Sequence, residues 1–118
     1  MIIKVNRDVL AGFERLLGDY FAGDRPERDG VPSVRWCAEQ LHLSANYFGD
    51  LVKKETGKSA QEYIQLTTID RAKELLTEGG RSVSEIAYEL GFKYPHHLSR
   101  LFKKVVGYTP NEYKTLSA

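Results

Sequence analysis

From Lys93 to Lys104 the chain carries two imidazoles, a serine hydroxyl, a guanidinium and three ammonium groups, with no carboxylate among them. At helical spacing, His96, His97, Ser99, Arg100, Lys103 and Lys104 fall on the polar side of one helix, opposite Leu98, Leu101, Phe102 and Val105. Bond-breaking chemistry needs a nucleophile beside a base, or a glycine-rich loop after a strand to cradle phosphate, and neither pattern occurs here. His96 and His97 are adjacent, so they leave a helix about 100° apart and do not readily share a metal. With no Cys or further His nearby, neither a metal nor a cofactor is expected, and no enzyme activity. What such a set does well is bind a polyanion: cations meet phosphates, and Arg, His and Ser donors reach base edges. A charged helix face standing alone would be no more than a solvated surface; the residues before it decide otherwise.

Those residues, Ser82-Val83-Ser84-Glu85-Ile86-Ala87-Tyr88-Glu89-Leu90-Gly91-Phe92, read as a helix and a tight turn. Ser82 caps the helix while Glu85 reaches back to the Ser82 backbone N–H, a reciprocal capping box. Val83, Ile86, Ala87 and Leu90 share one face, and Ala87 is small where two short helices must cross closely. Gly91 supplies the positive φ of the turn, and Pro95 suits the first position of the next helix. Helix, turn and helix in this order is the plan that lays a second helix in the DNA major groove.

The plan occurs twice. A shift of 49 lays Ser33, Val34, Ala38 and Leu41 on Ser82, Val83, Ala87 and Leu90; a shift of 50 lays Lys53, Lys54, Gly57, Glu62 and Tyr63 on Lys103, Lys104, Gly107, Glu112 and Tyr113. The change of offset predicts one extra residue in the second turn, where an insertion leaves both apolar stripes intact.

These units must be positioned by the rest of the chain. Residues 1–32 hold a first helix from Arg7 to Ala22, striped by Val9, Leu10, Phe13, Leu16, Leu17, Tyr20 and Phe21, and a polar loop from Asp24 to Pro32. Residues 33–58 form the first unit, with helices from Ser33 to Leu41 and from Ala45 to Thr56, each capped by a serine. Residues 59–80 are a long linker helix opened by the Ser59/Glu62 capping box and ended by Gly79-Gly80. Residues 81–118 form the second unit and a short last helix opened by Thr109-Pro110-Asn111-Glu112. No segment alternates as a strand does, so the expected fold is all-α, with seven helices in one domain of 118 residues.

Within it, Cys37 lies on an apolar face and is expected to be a reduced core residue. Trp36, off that face, should pack against the first helix or its loop, Tyr47 should sit at the edge of the first unit's core, and Tyr63 and Tyr113 should play equivalent structural parts.

The net charge is only +1, but its distribution matters more than its total. Residues 1–30 hold five Lys/Arg against six Asp/Glu, whereas 92–104 hold four Lys/Arg and no acid. There is no apolar run of membrane-spanning length and no signal peptide, so a cytoplasmic protein with no membrane segment is expected.

Ser82 to Phe92, followed by Ser99-Arg100-Leu101-Phe102-Lys103-Lys104, Gly107, Thr109-Pro110 and Glu112-Tyr113, resemble the C-terminal signature of AraC/XylS-type transcription regulators. Leu43-Ser44, Lys53 to Ser59, Tyr63-Ile64 and Ala72-Lys73-Glu74-Leu75-Leu76 resemble the first half of the same domain, so the likeness runs from about Ser33 to Tyr113. It implies a bacterial DNA-binding domain of two homeodomain-like helix-turn-helix units on a linker helix, with recognition helices in two successive major grooves of double-stranded DNA. Most members of the family carry a sensing or dimerising domain before this part, so the resemblance implies either an output domain with such a domain upstream or a stand-alone member; RNA polymerase is a further expected partner.

By position, the family's reading surface falls on Ala45, Asn46, Gly49, Asp50 and Lys53 in the first unit. In the second it falls on Pro95, His96, His97, Ser99, Arg100 and Lys103, with Lys104 beside them. The chain departs from the family pattern in three places. Gly49 and Asp50 replace longer or basic side chains, and a carboxylate can only accept, for instance from a cytosine amino group. His42 stands where the second turn has Gly91, which is tolerable because His visits positive φ more than most residues. Thr67-Thr68 replace a basic residue on the linker helix. The rival reading is a helical protein-interaction module docking an acidic partner; steep salt dependence with duplex DNA separates the two.

Overall fold

The structure, a computed structural model, describes residues 2–117, with side chains from Arg7 onward. The described residues form helices α1 (Ile2–Ala22), α2 (Arg25–Asp29), α3 (Val34–Gln40), α4 (Ala45–Thr56), α5 (Ala60–Glu78), α6 (Val83–Glu89), α7 (Pro95–Val106) and α8 (Pro110–Leu116), and no strand. The all-α expectation holds, but there are eight helices where seven were expected. The addition is α2, in the segment read as a polar loop. Pro26 sits in its first turn with φ already suited to a helix, and two pairs four residues apart, Arg28 with Asp24 and Arg25 with Asp29 (3.2 Å), span its single turn.

α5 is the axis of the molecule. Ala60, Ile64, Thr68, Ile69, Ala72, Leu75 and Leu76 are buried around it, because α1, α3 and α4 pack on it from one unit and α6, α7 and α8 from the other. Thr68, wholly buried, is satisfied by donating its hydroxyl to the Ile64 carbonyl at 2.7 Å. Thr67 turns its hydroxyl onto the Tyr63 carbonyl at 3.0 Å in the same manner.

The two units fill their cores by different means. In the first, Phe13 of α1 meets Phe48 edge-on at 4.8 Å and Tyr63 at 5.0 Å. In the second, Phe102 of α7 itself meets Tyr113, the repeat mate of Tyr63, at 5.4 Å. Thus α1 lends the first unit an aromatic ring that the second supplies from its own helix. Tyr63 also donates its hydroxyl to Glu14 at 2.9 Å, and burial, with Glu14 beside it, pushes the phenol up to about 12. Cys37 is fully buried, and burial pushes its thiol to about 11.

Trp36 packs where expected, edge-on to Tyr20 of α1 at 5.1 Å with the Arg25 guanidinium 4.9 Å from its ring centre. Two expectations fail. Tyr47 is 52% exposed rather than at the edge of the core, because its place on α4 points away from α1 and α5. Val105 is 38% exposed, and Val106, one position on, packs against the core in its stead.

Candidate nucleic-acid interface

Each unit presents one twelve-residue helix, α4 or α7, held by a shorter one, α3 or α6. The turns between them are built alike. The Leu43 N–H donates to the Ala38 carbonyl at 2.9 Å, and the Phe92 N–H donates to the Ala87 carbonyl at 2.9 Å. His42 takes φ 60 and Gly91 φ 97 at the matching position. After this the repeats part: Ser44 follows Leu43 directly as the cap of α4, whereas Lys93 stands between Phe92 and Tyr94, the cap of α7. Lys93 is therefore the extra residue that the change of offset demands.

Along α4, Ala45, Asn46, Asp50, Lys53 and Lys54 are exposed and Gly49 is half-buried with open space where a side chain would stand. Along α7, His96, His97, Arg100, Lys103 and Lys104 are exposed, and Pro95 and Ser99 half-buried. The predicted residues thus gather on one outward strip of each helix, behind which Phe48, Leu51 and Val52, or Leu98 and Phe102, are anchored in the core. Thr67 and Thr68 lie elsewhere, with both hydroxyls committed to α5 itself, so that helix offers no phosphate contact from these two positions.

The charges on the strips are less free than the sequence implied. Lys103 lies 3.8 Å from Glu112, the capping-box carboxylate of α8, so the basic run of α7 is not unopposed. Its counterpart Lys53 donates to the Gly57 carbonyl at 3.0 Å and sits close enough to Glu62, the repeat mate of Glu112, to favour that carboxylate's charged form. Backbone N–H donation at the caps holds Glu62, Glu85 and Glu112 below the ordinary carboxylate value.

At the start of α7 four side chains cluster instead of fanning out. Tyr94 stacks on His96 at 5.7 Å and meets His97 edge-on at 5.4 Å. The two imidazoles, although about 100° apart around the helix, meet at 4.5 Å between ring centres. The Lys93 ammonium lies 5.7 Å from the Tyr94 ring centre. Tyr94 is 48% exposed, as Tyr47 on α4 is at 52%, so each unit carries an exposed ring that residue types alone did not point to. The signal was present for Tyr47, since its repeat mate is His97.

Residues 37–115 match the family model described as a helix-turn-helix domain. The chain is 38% identical over 85 residues to an uncharacterized transcriptional regulatory protein of Bacillus subtilis, YesN, covering 70% of this chain and 23% of that one. It is 33% identical over 98 residues to the HTH-type transcriptional activator RhaS of Escherichia coli O139:H28, covering 81% of this chain and 32% of that one. The chain thus spans about a quarter to a third of the length of these curated relatives.

Among solved structures, a transcriptional regulator of the AraC-type DNA-binding kind from Chromobacterium violaceum superposes with TM-score 0.80 at 22% identity, covering 95% of this chain and 94% of that one. The DNA-binding domain of the global transcriptional factor AdpA, in complex with a target DNA, superposes with TM-score 0.74 at 22% identity, covering 94% and 90%. With two helix-turn-helix units on one linker helix, and a family match over most of its length, the chain belongs to the AraC/XylS family of helix-turn-helix transcription regulators.

Proposed function

We propose that the chain binds double-stranded DNA sequence-specifically as the output domain of a bacterial transcription regulator, with α4 and α7 in successive major grooves. The observation that carries this reading is the pair of equivalent helices, each packed on the shared α5 and turning an exposed polar strip outward. Ala45, Asn46, Gly49, Asp50 and Lys53 read one groove; Pro95, His96, His97, Ser99, Arg100, Lys103 and Lys104 read the next. Tyr47 and Tyr94 join them as exposed rings able to lie against sugars and thymine methyls. The boundaries at residues 32, 58 and 80 go with this reading, as do a cytoplasmic location, the absence of enzyme activity, RNA polymerase as a partner and an upstream sensing or dimerising domain.

Two units on one support should contact half-sites about 34 Å apart, one turn of DNA, without a dimer. Sites selected from random duplexes supply the native spacing. Inserting five base pairs between the half-sites turns them to opposite faces and should abolish specific binding in an electrophoretic or fluorescence titration. Unchanged affinity would sink the reading.

A further inference from the structure

Residues 24–32 have no part in the helix-turn-helix plan, yet they touch both units. Their root is in the first: Tyr20 of α1 donates its hydroxyl to the Gly30 carbonyl at 2.6 Å, and Arg25 lies over Trp36 of α3. Their tip meets the second. α2 packs on α6, and the turn after α6 abuts the backbone that follows α2. A Cβ at Gly91 would lie 2.5 Å from the Gly30 carbonyl carbon, 2.6 Å from the Val31 nitrogen and 2.8 Å from the Pro26 oxygen. All three are main-chain atoms, which have no rotamer to yield. Gly30 faces it with φ 88 and ψ −176, a conformation open essentially to glycine alone.

The first unit serves as an internal control. His42 makes the equivalent turn at φ 60 with an exposed side chain, so the turn itself does not require glycine. What Gly91 adds is room for the neighbouring backbone. Apart from α5, moreover, α2 on α6 is the one extensive helix contact that joins α1–α4 to α6–α8 among the described residues. Both units are packed on α5, so their relative angle changes only as that helix bends or twists; a second tie, off its axis, resists both.

We propose that the segment from α2 to Val31 is a brace that fixes the second unit against the first, with Tyr20, Gly30 and Gly91 as its positioning residues. It holds α4 and α7 at one separation and one phase. That this geometry serves to read DNA rests on the function proposed above; the brace itself does not.

The test therefore has two arms. Glu55→Cys and Val105→Cys place spin labels at repeat-equivalent exposed positions on α4 and α7, while buried Cys37 stays unlabelled in the folded protein. Pulsed electron-spin distance measurement should give one narrow distribution. Gly91→Ala should shift or broaden it, Tyr20→Phe, which keeps the ring and loses only the bond to Gly30, should broaden it less, and His42→Gly should leave it unchanged. In the second arm, duplexes carry the two half-sites at native spacing or one base pair longer. Both brace variants should lose several-fold of the spacing preference while keeping their affinity for a single half-site, which a merely destabilised fold would not produce. Distributions for Gly91→Ala and Tyr20→Phe that coincide with the parent's overturn the brace. If Gly91→Ala does not fold, Tyr20→Phe decides alone. A parent that binds no duplex removes the function instead, and leaves the distance arm to judge the brace.

Discussion

Asp50 and Arg100 occupy the same position in α4 and α7, the proposed recognition helices, and carry opposite charges. Near a phosphate backbone that difference has a readable sign. Arg100→Ala should weaken binding to all duplexes and reduce the slope of log affinity against log salt by about 0.9, the value of one phosphate contact. Asp50→Ala should strengthen non-specific binding, since it removes a like charge from the interface. A titration across several salt concentrations checks both; if Arg100→Ala instead relaxes preference at one base pair with the slope intact, Arg100 is reading guanine. Residue types and spacing make these strips legible in the amino-acid sequence, because capping boxes and apolar stripes fix which side of each helix faces outward. The misplacements of Tyr47 and Val105 come from judging each residue by hydrophobicity alone. Their repeat mates, His97 and Glu55, are polar, and the repeat register carries the correct answer for both. The pairing of Lys103 with Glu112 is not legible, since it joins two helices whose crossing depends on the whole core.

Among the helices, α5, α6 and α8 open with complete capping boxes, and the boundaries of α4 and α5 fall where caps and glycines place them. α2 escapes because a single turn carries too short a stripe to register as periodic, and its support is ionic pairing and contact with α6. The capping carboxylates also set a pH response. Glu62, Glu85 and Glu112 are held below the ordinary 4.5, so their charged forms are favoured in the folded chain. Their contribution to stability is therefore complete above the ordinary carboxylate range and is lost as pH falls through the lowered folded values. Thermal midpoints measured from neutral pH down to about pH 3 should decline in the acid limb, and Glu62→Gln, Glu85→Gln and Glu112→Gln together should flatten that limb. At neutral pH, Ser82→Ala should cost about 1 kcal/mol of stability, the usual worth of a serine cap.

At the scale of the molecule, the described buried residues of both units join through α5 into one continuous cluster, although the repeat by itself suggests two small cores. Continuity of this kind comes from tertiary packing, above all from α5, whose buried residues meet helices of both units, and no local pattern announces it. It should make unfolding a single cooperative transition, with Phe13→Ala costing about 3–5 kcal/mol. Cys37 offers a clock for that event. Its sulfur is sealed in α3 and burial pushes its thiol up to about 11, so near neutral pH an alkylating reagent finds neither access nor appreciable thiolate while the chain is closed. Where reclosing outpaces reaction, the rate of capture relative to that of a fully exposed thiol gives the equilibrium of opening, and hence a free energy of exposure. If the cluster opens as a unit, capture should steepen with urea as sharply as global unfolding does; a shallower dependence would reveal the first half breathing on its own.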